Sequence, residues 1–427
     1  MDSWPPRSYG VRIGDSRRRG RSRGSFDPQH CSARTPSAKE HLVNKRLLLT
    51  AAAAVAVTTL VSAPVAQASP SPLSFVSVTD RATGLVSPLS FAVDAGGTAY
   101  VAQNFAGMLT KVAPSGATST LVSAPGTEIG AVSVRGSTVY YSEGVQEEGK
   151  ALLRSVPSGG GAPTTLADLG AYEASANPDA GNTYGFLGLP AECAAQVDPE
   201  TAGPASYTGR IDVHPYASAA TSAGVYVADA AGNAILKVTP NGVVSTLAVL
   251  PPTAPITITA EQAAAFGFPA CTAGYRYSFE PVPTDVEVGP GGWLYVSTLP
   301  GGPEDASLGA RGSVVRVNPA TGEIRTVATG LLSATGLAVD RVTGTVVVTE
   351  LFGGPDGTGR VALILPRTST PITGLAVVSP AAIELRDGAL YVARNAFVLS
   401  PEGAPQPIGT LTVARLRGFG AAMTAVD

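Results

Sequence analysis

After Ser69 this chain repeats one phrase six times: a short alternating strand, a glycine turn, then a strand ending in a small or polar residue. The second strands read Tyr100-Val101-Ala102, Tyr140-Tyr141-Ser142, Tyr226-Val227-Ala228, Tyr295-Val296-Ser297, Val347-Val348-Thr349 and Tyr391-Val392-Ala393. A glycine precedes each of them, at Gly97, Gly136, Gly224, Gly292, Gly344 and Gly388. A unit this small cannot bury both faces of its sheet alone, so each repeat must pack on its neighbours. Recurring four-strand units that need neighbours predict an all-β chain, a single six-bladed β-propeller of four-stranded blades over residues 69–427.

The third strands recur with the same regularity, from Met108-Leu109-Thr110-Lys111-Val112 to Thr410-Leu411-Thr412-Val413. Pro/Gly turns such as Pro114-Ser115-Gly116 and Pro240-Asn241-Gly242 follow several of them. The sixth repeat lacks a fourth strand. Ser74–Asp80 has the character of one, so residues 74–80 are expected to pair with 409–416 and close the ring at the N-terminal strand, leaving no open edge.

Charge divides the chain. Residues 1–68 hold 11 basic and 4 acidic side chains, a net +7; the remainder holds 18 and 28, a net −10. An acidic domain is a poor partner for nucleic acid or for anionic membrane surfaces. Residues 43–68 carry Lys45-Arg46, an apolar run from Leu47 and a small-x-small Ala66-Gln67-Ala68, the pattern of a cleaved secretory signal. The apolar run is too short to span a bilayer. Export, and no transmembrane segment in the mature chain, are therefore expected. Residues 1–42, basic and poor in apolar side chains, read as a disordered leader; translation starting at Val43 would remove them altogether.

Beyond Cys31 the only cysteines are Cys193 and Cys271, which an oxidising compartment would join. Each lies in an insertion between repeats, at 169–209 and 251–284; a third insertion occupies 298–311. The first two are rich in Tyr and Phe, which suits either a satellite core or the wall of a ligand pocket. All three emerge at the end of the ring reached by the second strands, whereas the other end carries short turns with little capacity to specify a partner.

Chemistry has few carriers. His214 is the one histidine of the domain, read as part of a first strand, and its residue type suits acid–base work or a plain structural role. No nucleophile elbow, zinc cluster or phosphate loop accompanies it. Side chains at the ends of second strands face the loop-rich end, which makes Asn104, Glu143, Asp229, Glu350 and Arg394 the ligand-binding candidates. Carboxylates among them suggest Ca²⁺ or Mg²⁺ as a cofactor. Gly354-Pro355-Asp356-Gly357 and Glu304-Asp305 have a weaker calcium-loop character.

The stretch Val282–Leu299, continued by Gly312–Pro319, Gly336–Asp340 and Thr349-Glu350-Leu351, resembles the ScyD/ScyE family of exported propellers. The resemblance implies fold and export, in a family whose biochemical role is not established. More distantly the repeats look like NHL-type propellers and gluconolactonase-like hydrolases. Those hydrolases hold a divalent metal with Glu, Asn and Asp, parts that only position would give to Glu143, Asp229 and Glu350. The expected function is a secreted binding module taking a small molecule, glycan or protein segment at its loop-rich face. A metal-assisted lactonase or lyase, and a structural scaffold, are the alternatives.

Overall fold

The computed structural model describes residues 74–353 and 358–417. The leader, the signal segment and the Gly354–Gly357 loop lie outside the described residues. Within them the chain has a β-propeller fold of four-stranded antiparallel sheets; six come from the repeats in up-and-down order and one, with shorter strands, is built from the insertions.

The first sheet runs Phe91–Val93, Ala99–Gln103, Met108–Val112, Thr118–Ser123, and the next four follow the same order at Glu128–Asp168, Pro215–Val249, Pro283–Leu331 and Ala334–Ala376. The last combines Ile383–Arg386, Ala389–Arg394 and Gly409–Arg417 with the first described strand, Ser74–Leu85. Register pairs Phe75 with Leu416 and Thr79 with Val413.

Burial explains the repeated phrase. Second strands are sandwiched between neighbouring sheets, and every residue of Ala99–Gln103, Gly224–Asp229, Leu294–Thr298 and Val346–Glu350 is buried. With both faces covered these positions take close-packing, mostly apolar side chains, Tyr100, Tyr226 and Tyr295 being the large ones among them. Fourth strands such as Thr118–Ser123 are mostly exposed, which is why they are rich in Ser and Thr. The first strands touch one another in sequence, and the one at Ile383 touches the one at Phe91. Phe91, Val132, Tyr216, Thr284, Thr335 and Ile383, one from each of the six repeated sheets, line a narrow axial cavity.

The two long insertions fold into one module. Thr183–Leu187 and Ser206–Thr208 come from the first; Ile256–Thr257 and Arg276–Ser278 come from the second, and the four form one sheet. Phe186 packs edge-on against Phe268 and Tyr277, both at 4.9 Å. Ile258 and Ala263 complete that core, so most of the aromatic side chains serve a satellite core rather than an open wall. The helix Ala260–Ala265 starts at a capping box in which Thr259 and Gln262 satisfy each other's backbone amides. The expected disulfide Cys193–Cys271 is present, with its Cα atoms 5.9 Å apart. The third insertion leans on the second: Arg311 stacks 4.3 Å from Phe279 and donates to the Gly301 carbonyl.

One sequence expectation is corrected. His214 is not part of a first strand; the strand is Pro215–Thr221, and His214 is the residue leading into it.

Candidate functional site

The ends of the second strands do a job that recurs around the molecule. Gln103 Oε1 accepts the Val86 amide at 2.8 Å, Asp229 Oδ1 accepts the His214 amide at 2.8 Å, and Glu350 Oε1 accepts the Leu332 amide. In each case the acceptor clamps the chain as it enters the first strand of its own sheet. Glu350, wholly buried, also pairs with Arg360, at 2.5 Å to Nε and 3.0 Å to Nη2. Both of its oxygens are occupied.

Glu143 and Arg394 are likewise engaged within their own sheets. Glu143 pairs with Arg154 at 2.7 Å, and Arg394 bonds Asp80 at 2.7 Å and Thr412 at 2.6 Å. Glu304 and Asp305 lie in the third insertion, where the Asp305 carboxylate caps the turn by accepting the Ser307 amide. A divalent cation needs free carboxylate oxygens. Glu143, Asp229 and Glu350 do not fit one, because Arg154 and Arg360 already neutralise two of them. Among the described residues no three His, Cys, Asp or Glu side chains group so as to hold a metal.

A different set does converge. Asn104 opens the connection after its second strand; its Oδ1 accepts the Leu89 amide at 3.3 Å and its Nδ2 donates to Glu128 Oε1 at 3.0 Å. His214 Nε2 lies 3.2 Å from both Glu128 oxygens. The imidazole meets the Tyr216 ring edge-on at 5.8 Å, and Tyr216 lines the axial cavity. Three successive sheets thus supply one polar cluster at the loop-rich end of the axis. It is partly open, with 13% of the His214 side chain and 23% of the Glu128 side chain exposed.

The electrostatics of the pair are mutual. Burial works against a charged imidazole, but the Glu128 charge and hydrogen bond outweigh it and raise the His214 pKa. Burial likewise pushes the Glu128 carboxyl up, yet His214 and the Asn104 amide hold it below its ordinary value. The two form a hydrogen-bonded pair in which each favours the charged form of the other.

Behind His214 lies a more deeply buried group of acids. Asp179 Oδ2 accepts from Tyr184 at 2.9 Å and from Asn233 at 2.8 Å. Neither Glu173 oxygen has a well-formed hydrogen bond, the Asp212 amide being its weak backbone contact, and Asp179 Oδ1 and Asp229 Oδ2 lack partners. The backbone closes tightly on them: a Cβ on Gly232 would stand 3.2 Å from Glu173 Oε2, and one on Gly209 would collide with Asp179 Oδ1. Burial, then the charges of Asp229 and Asp179, push Glu173 up to about 8, partly offset by the Asp212 amide. Burial pushes Asp229 up to about 6 against the amides of His214 and Gly232. Protonation of Glu173 is how the fold avoids an unpaired buried charge.

Of the residues singled out from sequence, Asn104 and Asp229 touch this cluster directly. Glu143, Glu350 and Arg394 are each held by partners in their own sheets. Glu128 and Tyr216 escaped the sequence reading. Glu128 stands 86 positions from His214, and no spacing rule links them. The available hint was an acid opening the otherwise apolar Ile129-Gly130-Ala131-Val132 run.

No protein-family model and no curated protein matches this chain. Among solved structures it is similar to a PQQ-bound aldose sugar dehydrogenase from Streptomyces coelicolor, at 15% identity over 82% of this chain and 99% of that one, with a TM-score of 0.49. A virginiamycin B lyase from Staphylococcus aureus matches at 12% identity over 81% and 100%, with a TM-score of 0.42. A gluconolactonase from Xanthomonas campestris matches at 12% over 80% and 89%, with a TM-score of 0.44. None of these likenesses bears on this chain's activity.

Proposed function

We propose that the protein is an exported propeller that binds a small polar molecule at the loop-rich mouth of its axial cavity, over the His214–Glu128 pair. The observation that carries this is the convergence of Asn104, Glu128, His214 and Tyr216 from three sheets, with Glu128 and His214 partly exposed and Tyr216 lining the cavity. A rigid ring that aims a few polar groups at one opening is the usual architecture of a small-molecule site. The imidazole supplies a ring N–H donor, the carboxylate an acceptor, and Tyr216 an apolar wall with a hydroxyl.

A six-bladed ring closed by the N-terminal strand fits the circular order of first-strand contacts and the pairing of Ser74–Leu85 with Gly409–Arg417. Export is supported by the disulfide, since such bonds persist in oxidising compartments. Among the described residues no helix is long and apolar enough to cross a membrane. Kinship with ScyD/ScyE propellers belongs to the same reading and rests on the sequence stretches alone.

A lactonase or lyase is the second reading, favoured by the raised His214 pKa, which keeps a proton available beside a bound substrate. A metal would have to be held by residues other than Glu143, Asp229 and Glu350. One experiment separates the readings. The mature chain and its His214→Gln and Glu128→Gln variants are screened by thermal shift against sugars, sugar acids and lactones, with proton release followed in parallel. Ligand-dependent stabilisation lost in both variants, without turnover, supports the binder. Turnover lost in both supports the enzyme. Ligand responses that survive both substitutions overturn this site.

A further inference from the structure

A second cavity opens at the other end of the strands, beside the Asp387-Gly388 turn of the last sheet. Its volume is about 310 Å³, and Arg81, Arg386, Arg415, Ser77, Thr79 and Tyr391 are among its walls. Three arginines line it, in a domain whose net charge is −10. None of the three takes part in an ion pair found among the described residues. Arg81 Nε and Arg386 Nε are buried with no hydrogen-bond partner. Arg386 spends one Nη2 proton on the Val93 carbonyl at 2.7 Å, and on its inner side it feels Glu287 and Glu384. Asp387 is the one acid at the rim, and it pairs with none of them.

The backbone is bent to make this wall. Ser74–Leu85 pairs with Gly409–Arg417 through register shifts between Val76 and Thr79 and between Asp80 and Ala82. Ser77 and Arg81 sit in those two shifts, and Ser77 takes a left-handed φ of 54°. Bulges re-aim side chains and recur beside binding sites. Here they deliver a hydroxyl and a guanidinium to the same cavity. An orphaned, buried guanidinium N–H is costly unless a ligand completes it.

We propose that this cavity binds a tetrahedral oxyanion, a phosphate or sulfate group either free or carried on a small molecule. Arginine forks match such oxygens with paired, charge-assisted hydrogen bonds, which a single lysine cannot supply. Ser77, Thr79 and the Tyr391 hydroxyl add neutral donors, and the volume leaves room beyond the anion for a sugar-sized remainder. The site is independent of the mouth cluster. It lies at the end where the sequence showed only short turns.

The test is calorimetric titration of the mature chain with inorganic phosphate, sulfate and glucose 6-phosphate, with chloride making up constant ionic strength. Arg81→Gln, Arg386→Gln and Arg415→Gln are compared with the parent. Saturable binding of phosphate or sulfate that each substitution weakens about tenfold supports the proposal. Tighter binding of the sugar phosphate assigns the site to a phosphorylated small molecule; equal or weaker binding assigns it to the free anion. Should Arg81→Gln or Arg386→Gln fail to fold, the exposed Arg415→Gln decides alone. Titration indistinguishable from chloride, or binding that Arg415→Gln leaves unchanged, overturns it.

Discussion

The six repeated sheets and the insertion module solve the same problem with different materials. In the ring, second strands of five to eight residues pack between neighbouring sheets, and their cores are mostly Val, Ala and Leu with a buried Tyr in five of the six. The module has strands of two, three, three and five residues, too few ladder bonds for a stable sheet alone. It compensates with large rings packed edge-to-face and with a covalent link. Repetition lets small side chains work, because every sheet borrows its neighbours' surfaces. A single added sheet has no such neighbours and must carry its own ballast.

That contrast predicts where damage spreads. Deleting residues 69–85 removes the outer strand of the last sheet and bares the Gly409–Arg417 edge, so the whole ring should unfold or aggregate. An unchanged melting curve after the deletion would break the comparison. Reduction of Cys193–Cys271 should cost at most about 4–5 kcal/mol in the chain-entropy view. The loss should stay local: hydrogen exchange is expected to quicken in 183–208 and 256–278 while the second strands keep their protection. Glu350→Ala strips the partner from Arg360 and the clamp from Leu332, and should cost the ring about 3 kcal/mol in chemical denaturation. Losses below about 1 kcal/mol on that measurement would mean that the pair contributes little.

The smallest effect is with pH. Glu173, up to about 8, and Asp229, up to about 6, bind protons more tightly folded than unfolded. The folded chain therefore holds extra protons between the ordinary carboxyl range and about pH 8, and stability falls as pH rises through that window. His214, also raised, adds a contribution of the same sign, lost as pH rises through its folded value. Glu173→Gln should flatten the slope and stabilise the chain at pH 8 by roughly 1 kcal/mol. A slope that the substitution leaves intact would remove Glu173 from the account.

How much of this was legible depends on range. The second and third strands were readable because alternation and glycine turns are local, and they recur at Tyr100, Tyr226 and Tyr391 where expected. The disulfide was readable because the two cysteines beyond Cys31 leave one pairing once an oxidising compartment is expected. The His214 cluster was not. Its members come from three sheets, and what brings them together is the convergence of strand ends on one axis, which no local pattern encodes. Glu350 shows the converse. Its place at a strand end marked it for the mouth, yet Arg360, ten residues on, was an ordinary hairpin neighbour whose claim on that carboxylate only packing reveals.

The disulfide also has a mechanical meaning. Cys193 and Cys271 stand 78 residues apart, and the whole sheet from Pro215 to Val249 lies between them. Tension applied from outside the loop passes through the sulfur bridge and bypasses that sheet. Pulled from residues flanking the propeller under oxidising conditions, the chain should extend without it, short by about 270 Å of contour length. Reduction under load should release that hidden length in one further step.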